Sequence, residues 1–63
     1  MDVVCRDAET LGVKWRNHYV KEGDAKKYFR EILHKAKKYK YRVSQNGEGA
    51  VLVNDTDYIT IEK

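Results

Sequence analysis

The clearest periodicity in the chain runs from residue 24 to residue 39. Ala25, Tyr28, Phe29, Ile32, Leu33, Ala36 and Tyr39 recur at spacings of three and four. At roughly 100° per residue they share one arc, and the charged residues fall on the other. This predicts an amphipathic helix that packs by its apolar arc. Asp24, after Gly23, is the expected N-cap, because its carboxylate can accept an orphan backbone N–H at the positive end of the helix dipole. Lys35, Lys37 and Lys38 suit the negative end.

The period then falls to two. Three short β-like segments follow: Tyr39–Gln45, Ala50–Asn54 and Tyr58–Glu62. Their joints, Asn46-Gly47-Glu48-Gly49 and Asp55-Thr56-Asp57, carry turn chemistry. A four-residue first loop would set Val43 opposite Leu52 and place Arg42 on the face of Val51 and Val53. A loop of odd length, with a glycine supplying the left-handed residue, pairs Val43 with Val51 instead. A three-residue loop at 55–57 pairs Val53 with Ile59. Tyr41, Val43, Val51, Val53, Ile59 and Ile61 then share the face that takes the helix, and a one-residue slip would expose a whole strand's apolar set.

Residues 1–23 fit two readings. Val13, Trp15 and Tyr19 alternate with Lys14, Arg16 and His18, as in a strand rich in β-favouring side chains. Val3–Cys5 would be a further short strand beside it. The expected fold is α+β: one amphipathic helix on an antiparallel sheet that ends in a three-stranded meander, in the order β-β-α-β-β-β. In the alternative, Leu11, Trp15, His18 and Tyr19 take helical spacing, residues 7–21 form helices, and the meander becomes the wing of a winged-helix-like domain.

Sixty-three residues suffice for one small α+β domain, residues 1–63, with a thin core. Cys5 is the one cysteine, so no internal disulfide supports the fold, and with only His18 and His34 beside it the usual four-ligand Cys and His sets of a structural zinc site cannot be assembled. Stability then rests on well-fitted packing or on self-association as a homo-oligomer. Hydrophobic residues are 41% of the chain, enough for a core and against disorder. No apolar run reaches membrane-span length. The N-terminus lacks the basic region and apolar stretch of a secretory signal, and a lone thiol fits a reducing compartment, so a cytoplasmic location is expected.

Charge changes the picture most. Residues 24–42 hold eight basic residues and two acids, a net of +6 within a chain of net +3. Residues 1–23 balance, and residues 43–63 carry −3. A basic helix face is the footprint of a phosphate-backbone binder, since each ion pair releases counterions. Lys26, Lys27, Arg30, Lys37 and Lys38, extended by Lys40 and Arg42, are the candidate nucleic-acid-binding residues. The same lysines also suit a solvated helix face. A second candidate surface is the outer sheet face, with Lys40, Arg42, Leu52, Tyr58 and Thr60, joined by Lys14, Arg16 and His18 if residues 13–20 are a strand. Basic residues around a tyrosine resemble a single-strand stacking platform.

Catalytic, cofactor and metal readings find no support. Cys5 with His18 or His34 lacks an orienting third group and an oxyanion-hole motif. Asn46-Gly47-Glu48-Gly49 leads into a strand, not a helix, so it is no phosphate loop. Asp55 and Asp57 are too few for a calcium site. Trp15 is expected in the core with its N–H near the surface. Two functions remain. The first is a small basic, non-catalytic accessory protein that binds DNA or RNA mainly through phosphates. The second is a phage- or plasmid-encoded modulator or inhibitor of a host protein, whose basic helix meets an acidic protein surface. Neither requires a membrane or a cofactor.

Overall fold

A computed structural model describes every residue except Asn46 and Glu48. It is α+β, with one helix and a five-stranded antiparallel sheet. The elements are β1 (Asp2–Asp7), β2 (Val13–His18), α1 (Glu22–Lys38), β3 (Val43–Gln45), β4 (Ala50–Val53) and β5 (Asp57–Glu62). The spatial order β2-β1-β5-β4-β3 brings the first and last strands together at the centre of the sheet. Residues 7–21, where helices were the alternative, hold β2 flanked by turns. The central position of β1 explains its Val-Val-Cys run, because a middle strand covered on both faces favours continuous apolar residues. The edges are β2, which carries exposed charge, and β3, which is three residues long; both features discourage pairing with another chain.

The helix packs as its periodicity demands, but its line of closest approach differs from expectation. Ala25, Phe29 and Ala36 are buried, whereas Ile32, Leu33 and Tyr28 are half-buried. Two alanines on the contact line let the backbone come close to the sheet, and the larger side chains splay to either flank. Tyr28 meets Trp15 edge-on, with centroids 6.2 Å apart, and also packs on Tyr19 at 5.6 Å. Trp15 is therefore a half-buried flank of the core. Beneath the helix lie Val3, Cys5, Val51, Val53 and Ile59, with Val43 and Ile61 partly covered.

The helix starts two residues earlier than expected. Its N-cap is Lys21, whose side chain makes no capping bond, and Asp24 lies in the first turn with Glu22. There the acids still meet the positive end of the dipole.

Strand registers differ from expectation by one two-residue step. Val43 lies opposite Val53, not Val51, and Val51 opposite Ile59, with Val53 opposite Asp57. The alternation survives, since a shift of two keeps every side chain on its face. The reversal after β4 decides the β4–β5 register. Asn54 and Asp55 adopt left-handed backbone, φ 55° and 59°, and Thr56 N–H donates to Val53 O at 3.2 Å. Asn and Asp tolerate that conformation, whereas a β-branched Thr56 does not, so the turn forms over 54–56 and not 55–57. Gly47 is left-handed at φ 82°, as the first joint was expected to need; Asn46 and Glu48 lie outside the described residues.

Candidate nucleic-acid interface

The apolar arc of α1 is committed to the sheet, so its basic residues point away from it. Lys26, Lys27, Arg30, Lys37 and Lys38 are all exposed. Lys26 is tied to Glu22 one turn earlier, at 3.2 Å. Among the described residues, Lys27, Arg30, Lys35, Lys37, Lys38 and Lys40 form no ion pair.

The rest of the molecule is different. On the outer sheet face, Asp2 holds Arg16 at 3.1 Å and His18 at 2.6 Å, and Glu62 holds Arg6 at 3.3 Å. Thr60 Oγ1 donates to Glu62 at 2.9 Å. The hydrogen bond from His18 keeps the Asp2 carboxyl below its ordinary range, and the bonds from Arg6 and then Thr60 do the same for Glu62. The outer face is thus laced with paired charges.

It also lacks some of its expected members. A β-bulge in β2, opposite Cys5 and Arg6, makes Lys14 the extra residue and swings it to Asp57, which shares its sheet face with Ile59 and Ile61. Lys40 and Arg42 precede β3 and belong to the helix exit. The stacking platform expected from Lys14, Arg16, His18, Lys40 and Arg42 around Tyr58 is therefore not assembled.

Arg42 is separated from the lysines by its own contacts. Its guanidinium meets Asp55 at 2.6 Å, its N–H donates to Asn54 Oδ1 at 3.0 Å, and its carbonyl accepts the Asn54 N–H at 2.7 Å. It clamps the turn after β4. Asp55 and Asp57 are thereby both occupied by cations of the chain itself. Cys5 is buried beneath the helix, His18 pairs with Asp2 on the opposite face, and His34 is exposed on the helix, so the three are not brought together. Burial raises the Cys5 thiol pKa, which disfavours the nucleophilic thiolate.

One feature escaped the sequence. The helix ends in a Schellman motif: Tyr41 N–H donates to Ala36 O at 2.9 Å, and Lys40 N–H to Lys37 O at 3.1 Å. Lys40 occupies the left-handed position, φ 60°, that glycine usually fills. The sharp exit lays Tyr41 beside Tyr39, ring centroids 5.9 Å apart, and leaves both exposed, at 50% and 63%. Both had been expected on the buried face. The segment is too short of β3 for Tyr41 to join the sheet. The two rings line a groove of about 280 Å³ together with Ile32, Ala36, Val53 and Ile59, and Lys35 and Asp57 supply its charged groups. A Tyr-Lys-Tyr run at a helix end without glycine was the one available signal.

No protein-family model, no curated protein and no solved structure matches the chain. Among the described residues, no helix is long and apolar enough to cross a membrane. Among the described residues, no group of three His, Cys, Asp or Glu side chains is placed to hold a metal ion.

Proposed function

We propose that this protein is a small, non-catalytic nucleic-acid-binding accessory protein that meets the phosphate backbone through the outer face of α1. One observation carries the reading: ion pairs neutralise the sheet, while the helix from Lys27 onward keeps its basic residues unpaired among the described residues. The bases in ion pairs are Arg6, Lys14, Arg16, Lys26 and Arg42. Those left over concentrate between Lys27 and Lys40.

From Lys27 to Lys38 the helix advances roughly 17 Å. Duplex DNA offers one phosphate charge per about 1.7 Å of axis, so several contacts can form at once. Lys27, Arg30, Lys37 and Lys38 carry the contacts, with Lys26 and Lys40 at their margin. Arg42 supports the turn instead. Contacts of this kind position a protein without reading bases, so sequence preference is weak. The cytoplasm, with its reducing thiol chemistry, is the compartment that suits the lone Cys5.

The test is a titration of labelled single- and double-stranded DNA and of RNA across a salt series. The logarithm of affinity should fall linearly with the logarithm of salt. Lys27→Ala and Arg30→Ala should each lower that slope by about one unit and weaken all sequences alike. Lys14→Ala should leave the slope unchanged, because Lys14 is occupied by Asp57. Absence of binding at low salt, or binding that survives high salt, would overturn the proposal and turn attention to an acidic protein surface.

A further inference from the structure

We propose that the Tyr39–Tyr41 groove is a base-stacking site, and that the nucleic acid this protein prefers is single-stranded. This rests on the phosphate-binding reading above and names the substrate class of that surface.

The geometry supplies the reason. Two tyrosine rings lie side by side, exposed, at the end of the helix that carries the unpaired lysines. Their juxtaposition depends on a lysine in a left-handed conformation, where a glycine would fit without strain. Lysine there also places one more cation between the two rings along the chain. Lys35 lines the groove, and Lys37, Lys38 and Lys40 lie within four residues of Tyr39 or Tyr41 along the chain. A helix C-terminus carries about half a negative charge, which alone would repel phosphate. Four full positive charges outweigh it. One carboxylate, Asp57, lines the groove, and its ion pair with Lys14 offsets its charge toward an anion.

That combination, aromatic faces for bases beside cations for phosphates, is how single strands are bound without sequence readout. A duplex keeps its bases stacked on one another and cannot present their faces to the tyrosines. A bare phosphate backbone can use only the lysines. The chemistry is common to DNA and RNA, because every base has a π face.

The experiment measures fluorescence anisotropy of the intact protein with four labelled ligands of equal length at one moderate salt concentration: an oligothymidylate, an oligouridylate, an abasic strand and a DNA duplex. Both base-bearing strands should bind at least several-fold tighter than the abasic strand and the duplex. Tyr39→Ala and Tyr41→Ala should each weaken the base-bearing strands by about five- to one-hundred-fold and leave the abasic strand unchanged. Tyr39→Phe should retain affinity. Tyr39→Leu, which keeps an apolar side chain without the ring, should not. Circular dichroism would establish that each variant is folded. Equal affinity for all four ligands, still dependent on Lys27 and Arg30, would overturn the stacking site and leave the phosphate reading intact. No binding to any of them would overturn both. A concentration-dependent dimer that Tyr39→Ala dissolves, seen by sedimentation without nucleic acid, would assign the groove to a second copy of the chain and overturn the proposal.

Discussion

Val3 and Val4 are consecutive residues of β1, point to opposite faces of the sheet, and are both fully buried, at 0% exposure. Val3 lies beneath the helix with Cys5 and Phe29. Val4 lies on the other face, flanked across the ladders by Arg16 and Thr60. Among the described residues, no second layer of secondary structure covers that face. Its cover is side chains, and long charged residues can lay aliphatic stems over an apolar neighbour while their heads stay wet.

Val4→Ala should therefore destabilise the protein about as much as Val3→Ala, by about 1–3 kcal/mol in chemical denaturation. Phe29→Ala should cost more, about 3–5 kcal/mol, and could leave the domain unfolded. Ile32→Ala, at a half-buried flank, should cost less than Phe29→Ala. A Val4→Ala variant as stable as the parent would show that the outer face does not behave as a second core.

The thiol of Cys5 should be protected. In the native protein a disulfide reagent such as DTNB should react slowly with it, and in denaturant one thiol should react at once. Burial, with the added effect of the Asp57 charge, lifts its pKa above the ordinary value. Rapid stoichiometric reaction under native conditions would contradict this placement.

Acid should weaken the fold through three carboxyls. Asp2, Asp7 and Glu62 all have pKa values lowered in the folded state. For Asp2 the leading cause is the hydrogen bond with His18, and for Glu62 the bond from Arg6. For Asp7 it is the backbone N–H of Thr10, then that of Glu9. A lowered folded pKa means stability that is fully present above the unfolded value, about 4 for such groups, and lost as pH falls through the folded value. Thermal melting should thus be flat from pH 7 to about 5 with respect to these groups and should decline below about 4. Asp7→Asn should flatten part of that decline.

Two helix-end substitutions should stabilise. Lys21 is an N-cap without a capping bond, and it places a cation at the positive end of the dipole. Lys21→Asp should gain about 1 kcal/mol, seen as a melting-temperature rise of about 4–8 °C. Lys40→Gly should relieve the left-handed lysine, a gain of about 0.5–1 kcal/mol after the greater freedom of glycine in the unfolded chain is allowed for. Loss of stability in Lys40→Gly would show that the lysine side chain holds the helix exit in place.

What the sequence determined by itself was local or periodic. The arc of Ala25, Phe29 and Ala36 was legible because a helix repeats within a few residues. The shared face of Val43, Val51, Val53 and Ile59 was legible because a strand alternates with period two. Register was not, since pairing Val53 with Ile59 or with Asp57 keeps the same side chains on the same face, and that choice fell to the left-handed pair Asn54 and Asp55. The sequence also marked the basic segment but not which of its charges are free. Arg42 sits within it yet is taken by Asp55, thirteen residues away, while Lys14 crosses to Asp57 through a bulge. The burial of Val4 depends on β1 and β5, from opposite ends of the chain, lying side by side. Those relations, like the approach of Tyr41 to Tyr39, arise from where the folded backbone turns and meets itself, and no local pattern of polar and apolar residues records that.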